Sequence, residues 1–214
     1  MTSRIVPSDP AGLAAAIDVL RSGGLVGLPT DTVYGIAVAL DTPGGIERLF
    51  AAKARPPEKG IILLLADIQQ AASIGILGPS ASALAEAFWP GGLSLVVGQH
   101  PGARLPSSLT GGAATIGLRV PAHPAPRALA AAVGPLPTTS ANRSGEPEAP
   151  DAAGVVAALG SAVDLVVDGG PSKGGPASTV VDCTGEPASI LRAGAVPRDA
   201  LVLVLREAGL REPA

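Results

Sequence analysis

Two clusters of polar residues stand out in a chain that is 47% hydrophobic and only 15% charged. The first, Lys53-Ala54-Arg55-Pro56-Pro57-Glu58-Lys59-Gly60, sets three cations beside two prolines. That arrangement suits an anion, because little flexibility is lost on binding. Lys and Arg closing a helix also complement its dipole, and that plainer role fits the same residues. The second cluster, Thr138-Thr139-Ser140-Ala141-Asn142-Arg143-Ser144-Gly145, sets hydroxyl and amide groups directly after a short apolar run. It resembles the polar crevice at the strand ends of an open α/β sheet, although a Ser- and Asn-rich turn explains it too. A third stretch, Pro29-Thr30-Asp31-Thr32, lies between the apolar runs Leu25–Leu28 and Gly35–Leu40. A small-molecule site on a rigid support and a merely hydrogen-bonded turn account for it equally well.

Composition removes several classes of chemistry. The single cysteine, Cys183, permits no internal disulfide and no thiolate cluster, and its apolar neighbours mark it as a small core residue. Two histidines, His100 and His123, make a His-rich metal site a poor expectation. No Ser-His-Asp arrangement is persuasive, since His123 stands between Ala122 and Pro124 and no Gly-x-Ser-x-Gly surrounds Ser140. Neither GxxxxGK[ST] nor GxGxxG occurs, so a standard phosphate-loop motif is absent. The net charge of -3 argues against a globally basic nucleic-acid binder. Aromatics at 2% offer no platform for stacking single-stranded bases. No apolar run is long enough to span a membrane, and the N-terminus lacks a signal-peptide pattern, so a cytoplasmic protein with no membrane partner is expected.

The elements that must position these residues follow from pattern. Asp9-Pro10 caps and opens a helix whose Leu13, Ala16, Ile17 and Leu20 share a face, with Gly23-Gly24 ending it. Thr42-Pro43 repeats the signal before Ile46, Leu49, Phe50 and Lys53. Strands are expected at Ile61–Leu65, Leu93–Val97, Thr115–Val120, Leu136–Thr139 and Asp164–Asp168, with a strand pair at Ser178–Asp182 and Ser189–Arg192. Helices are expected after Asp67, from Pro79 through Trp89, at Pro124–Val133 and at Asp151–Leu159. The segment from His100 to Ala114 reads as a long loop, Gly169–Pro176 as a Gly-rich loop, and Glu212–Ala214 as a frayed tail. Ala200–Ala208 fits either strand or helix. Strands alternating with helices, plus closely spaced strands near both ends, predict an α/β fold. The expected form is one domain over residues 1–214, with a core at about 10–196 and a C-terminal tail at 197–214. Its sheet is mixed, twisted and open, flanked by helices.

With these residues in place the chain resembles the YrdC family. Pro29-Thr30-Asp31-Thr32-Val33-Tyr34-Gly35, then Lys53-x-Arg55-Pro56, then Thr115-x-x-x-Arg119-x-Pro121 carry the resemblance. Ser140-x-Asn142 with Ser144-Gly145, Ser178-Thr179-Val180-Val181-Asp182 and Leu191-Arg192-x-Gly194 complete it in the family's order. The resemblance implies a YrdC/RibB-like fold and synthesis of L-threonylcarbamoyl-adenylate from L-threonine, bicarbonate and ATP, with Mg²⁺ accompanying the nucleotide. The product serves the threonylcarbamoyladenosine modification of tRNA. Implied partners are tRNA or double-stranded RNA and a downstream threonylcarbamoyl-transferase complex.

Carried over residue by residue, Lys53, Arg55, Ser140 and Asn142 match the family's catalytic tetrad around ATP. Lys59, Thr115 and Arg192 are further nucleotide positions, and Thr30, Arg119 and Ser178 lie near threonine. Longer relatives carry an Asn-Pro-Leu-x-x-His run where this chain has Lys59-Gly60-Ile61-Ile62-Leu63-Leu64, so that histidine's role is vacant. The extra C-terminal domain of the long members is likewise not expected. A non-catalytic RNA-binding module is the alternative, but RNA binding alone would not require Ser140-x-Asn142 beside Lys53 and Arg55. A carbamoyl-transfer role in hydrogenase maturation belongs to a much longer multidomain protein.

Overall fold

The computed structural model describes residues 3–54, 61–172 and 174–214. Its strands are β1 (Arg4–Pro7), β2 (Val26–Leu28), β3 (Gly35–Ala37), β4 (Ile62–Leu64), β5 (Gly75–Ile76), β6 (Leu93–Gln99), β7 (Thr115–Arg119), β8 (Leu136–Ser140), β9 (Leu165–Asp168), β10 (Thr179–Asp182) and β11 (Ser189–Arg192). The helices are α1 (Pro10–Arg21), α2 (Gly45–Ala52), α3 (Ile68–Ile74), α4 (Pro79–Phe88), α5 (Ser107–Thr110), α6 (Pro124–Val133), α7 (Ala152–Leu159) and α8 (Arg198–Glu207). Arg55 and Lys59 lie outside the described residues.

Continuous apolar runs such as Leu63-Leu64-Leu65 require burial on both sheet faces. The strands accordingly join in one mixed sheet of order β1-β9-β2-β3-β8-β4-β7-β6-β10-β11, with β5 added beside β6. The pairs β1–β9, β9–β2, β4–β7 and β6–β10 are parallel. The hairpins β2–β3 and β10–β11 supply the antiparallel pairing expected near both ends. Because side chains alternate along a strand, Leu63 joins one core and Leu64 the other. The first core includes Ile36, Leu84, Leu118 and Val155, and the second holds Leu20, Leu28, Leu129 and Val167. The fold is a single-domain α/β architecture with helices on both faces.

Local chemistry explains most element starts. Asp9 accepts the Gly12 amide at 2.8 Å, Asp67 that of Gln70 at 2.8 Å and Asp151 that of Gly154 at 2.7 Å. Three expectations are corrected and one open reading is decided. Thr42 does not cap α2: Gly44, with φ of 68°, forms the N-cap without a side-chain bond, and Thr42 closes the preceding turn through its carbonyl. The long loop of 100–114 contains α5, whose Leu109 is drawn into the core. The ambiguous stretch 200–208 is helical, because Leu201 and Leu205, one turn apart, are both buried in the core. The tail is not frayed either. Ala214 donates to the Ala188 carbonyl at 2.9 Å and accepts from the Ile190 amide at 3.0 Å, satisfying the open edge beside β11. Among the described residues no helix is long and apolar enough to cross a membrane.

Candidate active site

A cleft of about 420 Å³ opens over the middle of the sheet. Sheet register builds its floor: Thr138 on β8 pairs with Ile62 on β4, Ile62 with Gly117 on β7, and Gly117 with Val96 on β6. All four residues line the cavity. Gly117 keeps that floor low, since a Cβ there would press on the Ile62 side chain.

Of the residues singled out from sequence, Thr30, Thr115, Arg119, Ser140, Ser178 and Arg192 line this one cleft. Thr32 and Leu191, each inside a motif quoted above, also line it, whereas Glu148 on the same wall carried no sequence signal. Lys53 and Asn142 stand behind Ser140 as a buried corner. The Lys53 ammonium donates to the Ser140 carbonyl, to Ser140 Oγ at 3.2 Å and to Asn142 Oδ1 at 2.9 Å. Ser140 Oγ also donates to Asn142 Oδ1 at 2.6 Å, and Asn142 Nδ2 reaches the Glu146 carbonyl at 2.6 Å. Lys53 is only 1% exposed, so its charge is held by these oxygens and fixes the 140–142 turn at the end of β8.

Thr30 serves the turn that its sequence allowed. Its hydroxyl accepts the amides of Thr32 and Val33 at 3.1 Å each and donates to the Val33 carbonyl at 2.6 Å. Asp31 reaches much further than a local turn. Its Oδ1 accepts from Arg119 Nη2 at 2.9 Å and from the Ala122 amide at 3.0 Å. Arg119 donates in addition to the Gly91 carbonyl at 2.9 Å and to Thr32 Oγ1 at 3.0 Å. Burial pushes the Arg119 guanidinium down from its ordinary value, Asp31 opposes that shift, and the neighbouring Arg192 charge adds to it. Both arginines line the cleft, Arg119 with its charge paired to Asp31.

Arg192, at the end of β11, donates through Nε and Nη2 to the Ser178 carbonyl at 3.1 and 2.7 Å, and through Nη2 to Ser178 Oγ at 3.0 Å. Gly194 permits this approach, because a Cβ there would collide with the Ala177 carbonyl oxygen. Tyr34, fully buried, donates to the Gly170 carbonyl at 2.6 Å and accepts the Gly169 amide at 3.2 Å, anchoring the Gly-rich loop that leads to Ser178. His123 caps α6 by accepting the Ala125 amide at 3.1 Å. Cys183 is a buried thiol pushed up to about 12 by burial, in keeping with a core role.

Two arginines and several oriented hydroxyls line a concave sheet surface, with a buried ammonium behind them, an arrangement that suits an anion. The family sequence model of Sua5, YciO and YrdC, described as "Telomere recombination", matches residues 18–194, and the chain belongs to that family. A Mycobacterium tuberculosis protein named putative threonylcarbamoyl-AMP synthase is 36% identical, the match covering 96% of each chain. The Bacillus subtilis threonylcarbamoyl-AMP synthase is 33% identical over 96% of this chain, which spans only 59% of that longer relative. The structure of Pyrococcus abyssi Sua5 complexed with L-threonine superposes with a TM-score of 0.86 at 32% identity, covering 95% of this chain and 60% of that one. Escherichia coli YciO superposes at 0.83 with 25% identity, covering 93% of this chain and 99% of the other.

Proposed function

We propose that this chain is a threonylcarbamoyl-AMP synthase, converting L-threonine, bicarbonate and ATP to threonylcarbamoyl-adenylate and pyrophosphate. Relatives of that name and the threonine-complexed Sua5 support the reading. The observation that carries it is the convergence of Arg119, Arg192, Ser178 and Ser140 on one cleft, backed by the Lys53–Asn142 corner. Threonine's carboxylate and the triphosphate bring several negative charges into that space, and two arginine cations on its wall answer them.

In this reading threonine's amine attacks the carbon of bicarbonate, a C–O bond breaks and water leaves to give the carbamate. The carbamate oxygen then attacks the α-phosphorus of ATP as pyrophosphate leaves. The chain's own contribution is positioning and charge neutralisation; no covalent enzyme intermediate is invoked. Thr30, Arg119 and Ser178 are assigned to threonine. Lys53, Arg55, Lys59, Thr115, Ser140, Asn142 and Arg192 are assigned to the nucleotide, with Lys53 and Asn142 acting by holding Ser140. Among the described residues no group of three His, Cys, Asp or Glu side chains could hold a metal ion. Mg²⁺ would enter as part of the MgATP substrate, bound mainly by the phosphates. The product would pass, in the cytoplasm, to a transferase complex acting on tRNA.

The test is pyrophosphate release from ATP and bicarbonate with and without L-threonine. Release that requires threonine is the expected result. Threonine-independent release, or none, would overturn the assignment, and retained affinity for double-stranded RNA in that case would favour the binding module.

A further inference from the structure

Ser94 is the single polar residue in the apolar run Leu93–Val97, and it sits on β6 with no exposed surface. A hydroxyl at such a place needs an acceptor for its proton. Among the described residues its one side-chain partner is Ser178 Oγ, at 2.9 Å. Ser178 is 2% exposed but lines the cleft, and its Oγ also receives Arg192 Nη2 at 3.0 Å.

Either hydroxyl could donate in this bond, and counting protons and lone pairs favours one direction, because only Ser178 lines the cleft. A serine hydroxyl has one proton and two lone pairs. If Ser178 donated to Ser94, the buried Ser94 proton would have no acceptor, a cost of about 1–3 kcal/mol. Ser94 therefore donates to Ser178. With Arg192 donating to the same oxygen, both Ser178 lone pairs are occupied, and its own proton is left for the cleft.

We propose that Ser94 is a positioning residue that fixes the Ser178 hydroxyl as a hydrogen-bond donor toward the substrate. This rests on the threonine reading of the cleft and deepens it. The wall at Ser178 takes an oxygen acceptor of the amino acid, beside the Arg192 and Arg119 charges, and offers no lone pair to an ammonium or hydroxyl proton. Without Ser94, one Ser178 lone pair is released and its proton is no longer committed to the cleft.

Calorimetric titration of L-threonine, with ATP titrated separately, tests this. Loss of one directed hydrogen bond predicts about tenfold weaker threonine binding for Ser94→Ala. ATP affinity should stay within about twofold of wild type, as should threonine affinity in Ser94→Thr, which keeps the hydroxyl. In a Ser178→Ala background, Ser94→Ala should cost nothing further, whereas a general packing defect would still weaken binding. If Ser94→Ala fails to fold, Ser94→Cys, a weaker donor of similar shape, replaces it in each comparison. Wild-type threonine affinity in the Ser94 variant, or a loss that persists without Ser178, overturns the positioning role alone. A wild-type protein that does not bind threonine overturns the threonine reading and this inference together.

Discussion

Replacing Asp31 by asparagine tests the electrostatic logic of the cleft with almost no change of shape. Asp31 Oδ1 receives Arg119 Nη2 at 2.9 Å and the Ala122 amide at 3.0 Å, and an asparagine oxygen can accept both. What disappears is the negative charge. The Arg119 and Asp31 side chains are only 4% and 14% exposed, and Arg192 acts on the same guanidinium with like sign. Removing one partner of a buried pair costs about 3–5 kcal/mol, and the retained neutral hydrogen bonds offset part of that, leaving about 2–3 kcal/mol. For a domain of this size, that lowers the melting temperature by about 4–12 °C. Scanning calorimetry of Asp31→Asn, Arg119→Met and the double variant should give a coupling energy of about 2 kcal/mol. Asp31→Asn should also raise the KM for threonine more than the KM for ATP, because Arg119 is assigned to the amino acid. A melting temperature within 1 °C of wild type, or zero coupling, would refute the argument (about one degree corresponds to less than 0.5 kcal/mol here).

Lys53→Met keeps the buried methylene stem but strips three acceptor contacts of their cation, so ATP affinity should fall by about tenfold or more as the Ser140–Asn142 turn loosens. Unchanged ATP titration would show that the corner does not serve the nucleotide. Gly194→Ala should abolish threonine-dependent turnover by driving β11 away from Ala177–Ser178, and normal turnover would contradict the close approach described. Burial raises Cys183 from its ordinary 9.0 to about 12, and it raises Tyr34 as well. Both acids hold their protons more tightly when folded, so the stability they contribute is complete below about pH 9 and is lost as the pH climbs toward 12. Cys183→Ala and Tyr34→Phe should each flatten that alkaline decline in chemical unfolding. Native Cys183 should also resist alkylation at pH 8 until the chain unfolds, and rapid labelling of folded protein would contradict its burial.

Local rules made the helices legible wherever a capping side chain and an amphipathic face agreed. Asp9-Pro10 opens α1, Asp67 caps α3, Asp151 caps α7, and α6 spans Pro124–Val133 as the spacing predicts. Apart from the local cap of α2, the failures trace to long-range context. Arg4–Pro7 buries one side chain, Val6, and becomes β1 only because β9, some 160 residues on, offers a parallel edge. In α8 the run Leu201-Val202-Leu203-Val204-Leu205 alternates like a strand as readily as it repeats like a helix. Packing of Leu201 and Leu205 into the core decides the matter. Ala214 is ordered by Ala188 and Ile190, partners that no window around the C-terminus contains.

The site divides along the same line. Motif residues such as Arg119, Ser178 and Arg192 could be named because their types and order are distinctive, yet none of their partners lies within the same local pattern. Asp31 and Thr30 were equal candidates for a turn; Thr30 satisfies three turn contacts within three residues, whereas Asp31 crosses the sheet to Arg119. Ser94 left a fainter trace, a lone hydroxyl in a run otherwise fit for a core strand. A polar group at a buried strand position must find a partner or destabilise the fold. That requirement can be read from sequence, but its answer cannot. Only the parallel pairing of β6 with β10, which brings Ser94 opposite Val180, carries it to Ser178. The sequence therefore names the groups that face the ligand more readily than the groups that aim them. Sheet register, which joins residues 84 positions apart into one hydrogen-bonded pair, determines the second set.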